Sequence, residues 1–142
     1  YYEYIYDSSN QLIKIVATDS LMKTTYDIEW KDGNITRIKE DFDNYHSEIV
    51  FEHERRSGYK KALPMFHLAT VAIGSVICID EILTAQGYFG NSTSKDLPIK
   101  EYHNGVLSRE FKYKLDQYGY ISQIQQILKG KVIMEYSFLW RK

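Results

Sequence analysis

The chain has 142 residues, 44% of them apolar and 26% charged, with a formal charge of −1. That is enough for one domain with a real core, and it excludes an intrinsically disordered or collagen-like chain. No basic stripe is present, which excludes the footprint of a nucleic-acid binder; Arg55-Arg56 and Lys60-Lys61 form one small cluster that reads as a solvated loop.

Tyrosine dominates the chain, with 13 Tyr against 2 Pro. Tyr is a strand former with an apolar ring and a wet hydroxyl, so its abundance predicts a sheet with one half-solvated face. Cys78 stands alone in an apolar setting. It makes no internal disulfide, and its neighbours Val76, Ile77 and Ile79 offer a thiolate no base. The chain opens on a strand-like pattern, with no signal peptide, and is expected to be a trimmed form of an exported protein.

In chain order, Tyr4-Ile5-Tyr6-Asp7 leads through Ser8-Ser9-Asn10-Gln11 into Leu12-Ile13-Lys14-Ile15, a strand, a turn and a strand. Tyr2, Tyr4 and Tyr6 share a face by the two-residue period. Tyr26, Ile28 and Trp30 alternate with Asp27, Glu29 and Lys31 as a half-buried strand. Asp32-Gly33 supplies a tight hairpin turn, and Ile35-Thr36-Arg37-Ile38 returns. Glu48 to Glu54 is the next strand, with Ile49, Phe51 and His53 on one side.

The segment from Ala62 to Ala85 is different. It carries no charged residue between Ala62 and Ile79. Pro64 suits the first turn of a helix, Met65, Leu68, Ala69 and Ala72 sit at helical spacing, and Ile79, Ile82 and Leu83 form a second stripe. Thr70 to Ile79 is rich in β-branched residues, so a strand there is the competing reading. Pro64, His67 and Gly74-Ser75 interrupt the run, which marks it as core and not as a membrane span.

Residues 87–98 form a loop by composition, and hairpins follow. Asn104-Gly105 is a tight-turn signal, Phe111, Tyr113 and Leu115 alternate with Glu110, Lys112 and Lys114, and Lys129-Gly130 turns into a final strand. That strand has the cleanest alternation in the chain, with Val132, Met134, Tyr136, Phe138 and Trp140 on one predicted face. Leu12-Ile13-Lys14-Ile15, Ile35-Thr36-Arg37-Ile38 and Ile121-Ser122-Gln123-Ile124 share one form and each follows a turn. Their outer apolar residues are three apart, which a flat strand does not allow. A bulge after the turn, or a first residue packed under the hairpin, would repair the period.

The expected fold is α+β: a curved antiparallel sheet of about seven to nine strands, built from hairpins and packed on a helical insertion. The expected organisation is one domain over 1–142, with N-terminal hairpins over 1–57, the apolar helical insertion over 58–90, a loop over 91–100 and C-terminal hairpins over 101–142.

The hairpin units, best seen in Tyr4-Ile5-Tyr6-Asp7 with Leu12 and Ile15, resemble the tyrosine-aspartate repeats of bacterial surface and toxin-shell proteins. Over nearly the whole chain the order of strands, apolar segment, Gly87-Tyr88-Phe89-Gly90 with Lys95, Leu97 and Pro98, then Tyr-rich hairpins, resembles a family of secreted lipoprotein domains of unknown function from Bacteroidetes. The resemblance implies export, a lipid-anchored cysteine upstream of residue 1 as the route to the membrane, and a cell-envelope location. It implies no activity.

Little points to chemistry. His46, His53, His67 and His103 show no metal-ligand spacing. Asp41-Phe42-Asp43-Asn44 begins like a calcium loop but lacks its Gly and its closing Glu, so it reads as a solvated turn. A hydrolase elbow and a phosphate-cradling loop are both missing. Glu48 and Glu52 are a carboxylate pair of unknown separation. Trp30 and Trp140 end inward-facing stripes and read as core. Tyr88, Phe89 and Asn91, in a Gly-flanked loop, are the candidate ligand-binding residues, with a plug seating the loop on the sheet as the other role for the two rings. The sequence therefore predicts a non-catalytic envelope module, without metal or cofactor, that binds a glycan, peptide or protein. A hydrolase acting on envelope or dietary polymers and a structural spacer are the alternatives.

Overall fold

A computed structural model describes residues 1–19, 21–60 and 94–139. They form one nine-stranded antiparallel sheet in which every strand pairs with its neighbour in sequence. The strands are β1 (Tyr2–Tyr6), β2 (Leu12–Thr18), β3 (Lys23–Lys31), β4 (Asn34–Phe42), β5 (Tyr45–Glu54), β6 (Leu97–His103), β7 (Val106–Leu115), β8 (Ile121–Leu128) and β9 (Lys131–Ser137).

The described chain is thus all-β, which corrects the α+β expectation. Each Tyr- and Ile-rich stretch with two-residue alternation is satisfied by a ladder to the next hairpin strand, and no helical layer is present among the described residues. The helical reading rested on Ala62–Ala85, which lies outside the described residues, as do Cys78, His67 and Trp140.

The turns form at the predicted dipeptides. Asp32-Gly33, Asn104-Gly105 and Lys129-Gly130 each hold two successive residues at positive φ, between 49° and 79°. This is the twist a two-residue hairpin needs, and Gly meets it without steric cost.

Bulges resolve the three-residue spacing. Tyr6 pairs with Leu12 and Ile5 with Lys14, which leaves Ile13 as an extra residue. Thr36 and Ser122 are left over in the same way after the β3–β4 and β7–β8 turns. An extra residue restores the period, so both outer apolar residues of each motif reach the core: Leu12 and Ile15, Ile35 and Ile38, Ile121 and Ile124 are all buried. Ile99, Ser108 and Ile133 are the extra residues of three further ladders. Bulges strengthen local twist, and this many in one sheet favour curling.

The register separates two faces. One row runs Tyr4, Ile15, Tyr26, Glu40, Ser47 across the first five strands, with Ile28, Ile38 and Ile49 in the next row. That face holds a first core of Leu12, Ile15, Tyr26, Ile28, Ile35, Ile38 and Phe51. A second core joins Leu97, Phe111, Tyr113, Ile121 and Ile124. The opposite face carries the row Lys14, Asp27, Lys39, Glu48, alternating in sign from strand to strand. Its ion pairs include Lys14–Asp27 at 3.0 Å and Lys39–Glu29 at 2.7 Å, with Arg37 3.6 Å from both Glu29 and Glu48. Each half-exposed pair contributes well under about 1 kcal/mol, so the row fixes register and solubility more than stability.

At the rim near the β3–β4 and β7–β8 turns, the chain flanking 61–93 is tied down twice. After β5, Arg56 Nη1 donates to Tyr113 O at 2.8 Å, and Lys60 N donates to Gly119 O at 2.8 Å. Before β6, Lys95 N donates to Gly33 O at 2.8 Å, Asn34 and Asp96 exchange two hydrogen bonds of 2.9 and 2.7 Å, and Ile35 N donates to the buried Ser94 hydroxyl at 2.9 Å. Ser94 Oγ also lies 3.1 Å from His53 Nε2. Burial holds the His53 pKa below its usual value, with Asp96 opposing that shift. A neutral His53 accepting at Nε2 completes the Ser94 network. This Ser–His contact is structural, because Ser94 is only 1% exposed.

Candidate functional site

At the opposite end, a polar depression of about 300 Å³ is lined by Lys39, Asp41, His46, Ser47, Glu48 and Asn104. Hairpin geometry assembles it. The Asp43-Asn44 turn, with Asp43 at φ 47°, sets Asp41 opposite His46 and Lys39 opposite Glu48. His46 Nδ1 and Asp41 Oδ1 are 2.5 Å apart, with the imidazole largely in solvent. The β6–β7 turn brings in Asn104, whose Oδ1 accepts from Glu48 N at 2.8 Å and whose backbone N–H donates to Glu48 O at 2.9 Å.

The lining therefore offers a lysine, an imidazole, two carboxylates and an amide within one open hollow. Such a mixture suits a ligand rich in both hydrogen-bond donors and acceptors. Among the described residues it holds no nucleophile set between a base and an orienting acid. Beside it, Ser47 Oγ lies 2.7 Å from His103 Nε2, the spacing of a nucleophile and its base. But Ser47 is only 6% exposed, and among the described residues no carboxylate hydrogen-bonds to His103 and so orients it. Among the described residues there is also no group of three or more His, Cys, Asp and Glu that could hold a metal ion.

The candidates read from the sequence fare unequally. Tyr88, Phe89 and Asn91 lie outside the described residues. Trp30 is structural, packed against the first core with its indole N–H donating to Leu12 O at 2.9 Å. Glu48 and Glu52 point the same way on β5, but four residues of strand separate their backbones by about 13 Å. Each has its own partner: Glu48 meets Arg37, while Glu52 takes Lys100 at 3.1 Å and the Tyr102 hydroxyl at 2.7 Å. That hydroxyl bond, then Lys100, holds the Glu52 pKa below the usual carboxylate value. The pair is two charge ladders, not a cleft. Asp41-Phe42-Asp43-Asn44 ends β4 and forms the turn into β5, as expected of a solvated turn. Lys39 and Ser47 were not singled out from the sequence, and Asn104 was read only as a turn residue. The signal lay in the turn, since a two-residue loop at Asp43-Asn44 puts Asp41 opposite His46.

No family model matches the chain, and no curated protein matches it. Among solved structures it is similar to a porin-like protein from Bacteroides uniformis ATCC 8492, with a TM-score of 0.61 and 12% identity, over 96% of this chain and 55% of that one. The chain thus spans about half the length of that neighbour. At this identity the likeness is one of fold alone.

Proposed function

We propose that the chain is a non-catalytic module of the bacterial cell envelope that binds a polar ligand, a glycan or a peptide, in the Lys39–Asp41–His46–Asn104 depression. The observation that carries this reading is the depression itself: mixed charges and an amide, open to solvent, beside a Ser–His pair with no orienting acid among the described residues. The envelope setting draws support from two sides, the likeness to a porin-like Bacteroides protein and the resemblance to exported lipoprotein domains.

A water-exposed module, and not a wall of a membrane-spanning barrel, fits the side chains. A barrel turns its apolar face to lipid, where those side chains stay exposed on the protein surface. Here Ile15, Ile35, Ile38 and Leu97 are at most 2% exposed, while Lys14, Asp27 and Lys39 of the charged row are 36–45% exposed. Anchoring by an upstream lipid then supplies the membrane contact.

The test is a glycan and peptide array on the soluble chain, followed by NMR titration of any hit. The expected result is binding that shifts the His46 and Asn104 signals and weakens at least tenfold in Asp41→Ala and His46→Ala. Silence on both arrays, or binding unaffected by both substitutions, would overturn the assignment.

A further inference from the structure

An antiparallel meander sends its turns alternately to two ends, and the two ends of this sheet differ. At the clamped end the β1–β2, β3–β4 and β7–β8 turns are Asp7-Ser8-Ser9-Asn10, Asp32-Gly33 and Asp116-Gln117-Tyr118-Gly119, and Tyr118 is the large exposed apolar side chain among them. At the other end each of the four turns exposes at least one. The β2–β3 loop carries Leu21 at 89% and Met22 at 44%, and Tyr45 follows the β4–β5 turn at 48%. Val106 at 70% and Leu107 at 44% follow the β6–β7 turn, and Leu128 at 38% and Val132 at 52% flank the β8–β9 turn. A single exposed Leu needs no account, but four successive tips along one rim do.

The directions of these side chains say what covers them. Val106 and Leu107 hold consecutive ladder positions, opposite His103 and Tyr102, so they point to opposite faces of the sheet. A protein packed on one face would cover one of them and leave the other wet. A medium that receives the tips end-on covers both. The apolar groups are also divided among separate hairpins, with Asp43-Asn44, Asn104-Gly105 and Lys129-Gly130 between them, where the core of a protein interface would be one continuous patch. Apolar tips interleaved with polar turns suit the boundary between lipid headgroups and acyl chains.

The polar groups at this end fit the same setting. Tyr45 supplies an amphipathic ring for the headgroup level. Lys23 follows Met22, and Lys129 and Lys131 flank Gly130, all three exposed, which favours anionic headgroups. Asp19 is turned into its own loop, accepting from Leu21 N and Met22 N at 2.8 Å each, while Asp43 is set against the lysines. We infer that this end of the sheet docks on an anionic lipid surface, with Leu21, Met22, Val106 and Leu107 entering the interface and the sheet standing on the surface without spanning it. Docking sets the polar depression, whose Asn104 precedes Val106 by two residues, at the level of the headgroups. It does not rest on what the depression binds.

The test is sedimentation of the full chain with lipid vesicles. The wild-type chain is expected to pellet with vesicles of equal parts phosphatidylcholine and phosphatidylglycerol, and about fivefold less with phosphatidylcholine alone. Leu21→Ser combined with Val106→Ser should weaken binding about tenfold, with unchanged far-UV circular dichroism because both side chains are exposed. Lys129→Glu combined with Lys131→Glu should remove the preference for the anionic vesicles. Tyr118→Ser, at the opposite end, should bind as the wild type does. A wild-type chain that stays in the supernatant overturns the inference, as does binding that survives the double serine substitution or falls equally in Tyr118→Ser. A preference that persists in the double glutamate variant overturns the choice of anionic lipid. A chain that ignores vesicles but self-associates in light scattering, and loses that association in the double serine variant, would assign the tips to a second copy and overturn the lipid surface.

Discussion

β2 to β4 and β9 are written in the same alphabet and end in opposite environments. Ile15, Ile35 and Ile38 are no more than 1% exposed, whereas no residue of β9 is buried. Alternation in a sequence states which face of a strand is apolar. It does not state whether anything lies on that face. The three strands β2 to β4 have neighbours on both sides and share the first core, while β9 has one neighbour among the described residues and a core that fades out at Ile124 and Ile127.

That contrast is sharpest in truncations. Ile38→Ala should cost about 2–5 kcal/mol in urea unfolding, through lost transfer energy and the cavity left behind. Ile133→Ala, with the same atoms removed from a half-exposed position, should cost under about 1 kcal/mol. Equal losses at the two sites would break the comparison.

The boundary between the halves holds a second, nearly as large, effect. Glu101 is 3% exposed, accepts from Arg109 Nε and Nη2 at 3.1 and 3.0 Å through Oε1, and leaves Oε2 without a partner among the described residues. Arg109→Ala strands a buried carboxylate and should cost about 3 kcal/mol, less whatever solvent reaches the exposed side of Arg109. Adding Glu101→Gln to that variant should recover part of the loss. No recovery would mean that packing by Arg109, and not its charge, was the support.

Two glycines sharpen the comparison within the C-terminal hairpins. Gly119 stands at φ 90°, and a Cβ there would meet Gly58 O at 2.0 Å, so Gly119→Ala must move the clamp that ties residues 58–60 to the β7–β8 turn. It should cost about 2–3 kcal/mol, combining left-handed strain with displaced backbone. Gly130 turns into β9 at φ 75° with nothing within 4 Å of its Cβ position, and Gly130→Ala should cost about 1 kcal/mol.

The smallest effect is a pH dependence. Burial holds His53 below its usual pKa, so the folded chain binds fewer protons here than the unfolded chain. The stability His53 contributes is present above the unfolded value of about 6.5 and is lost as pH falls through the lower folded value. Wild type should weaken between neutral and mildly acidic pH more than His53→Gln does, and NMR should place the His53 titration below that of a free imidazole.

Much of this fold was legible because turn chemistry is local. Asp32-Gly33 and Asn104-Gly105 need positive φ whatever surrounds them, and the three-residue spacing of Leu12 and Ile15 called for either a bulge or a first residue packed under the hairpin before any partner strand was known; the structure has the bulge. The outward row from Lys14 to Glu48 was legible as alternation, though not as a ladder, since its partners come from four strands. The depression was not legible as a site. Asp41 and His46 are joined by a visible turn, but Asn104 arrives from a strand whose start follows a long intervening segment, and spacing says nothing about such neighbours. The α+β expectation failed for a related reason. It let one apolar stretch decide the class of the whole chain, when the hairpin pattern already accounted for most of the strands described; the start of β6, Leu97 to Lys100, fell in the expected loop.

The measurement that bears most directly on this account is folding of the chain in aqueous buffer without detergent, followed by hydrogen exchange. An inward apolar face predicts a soluble protein with cooperative unfolding, slowest exchange in β2–β4 and fast exchange in β9. A chain that folds only in micelles, with β9 protected as well as β3, would mean that the apolar face meets lipid, and the account would be wrong.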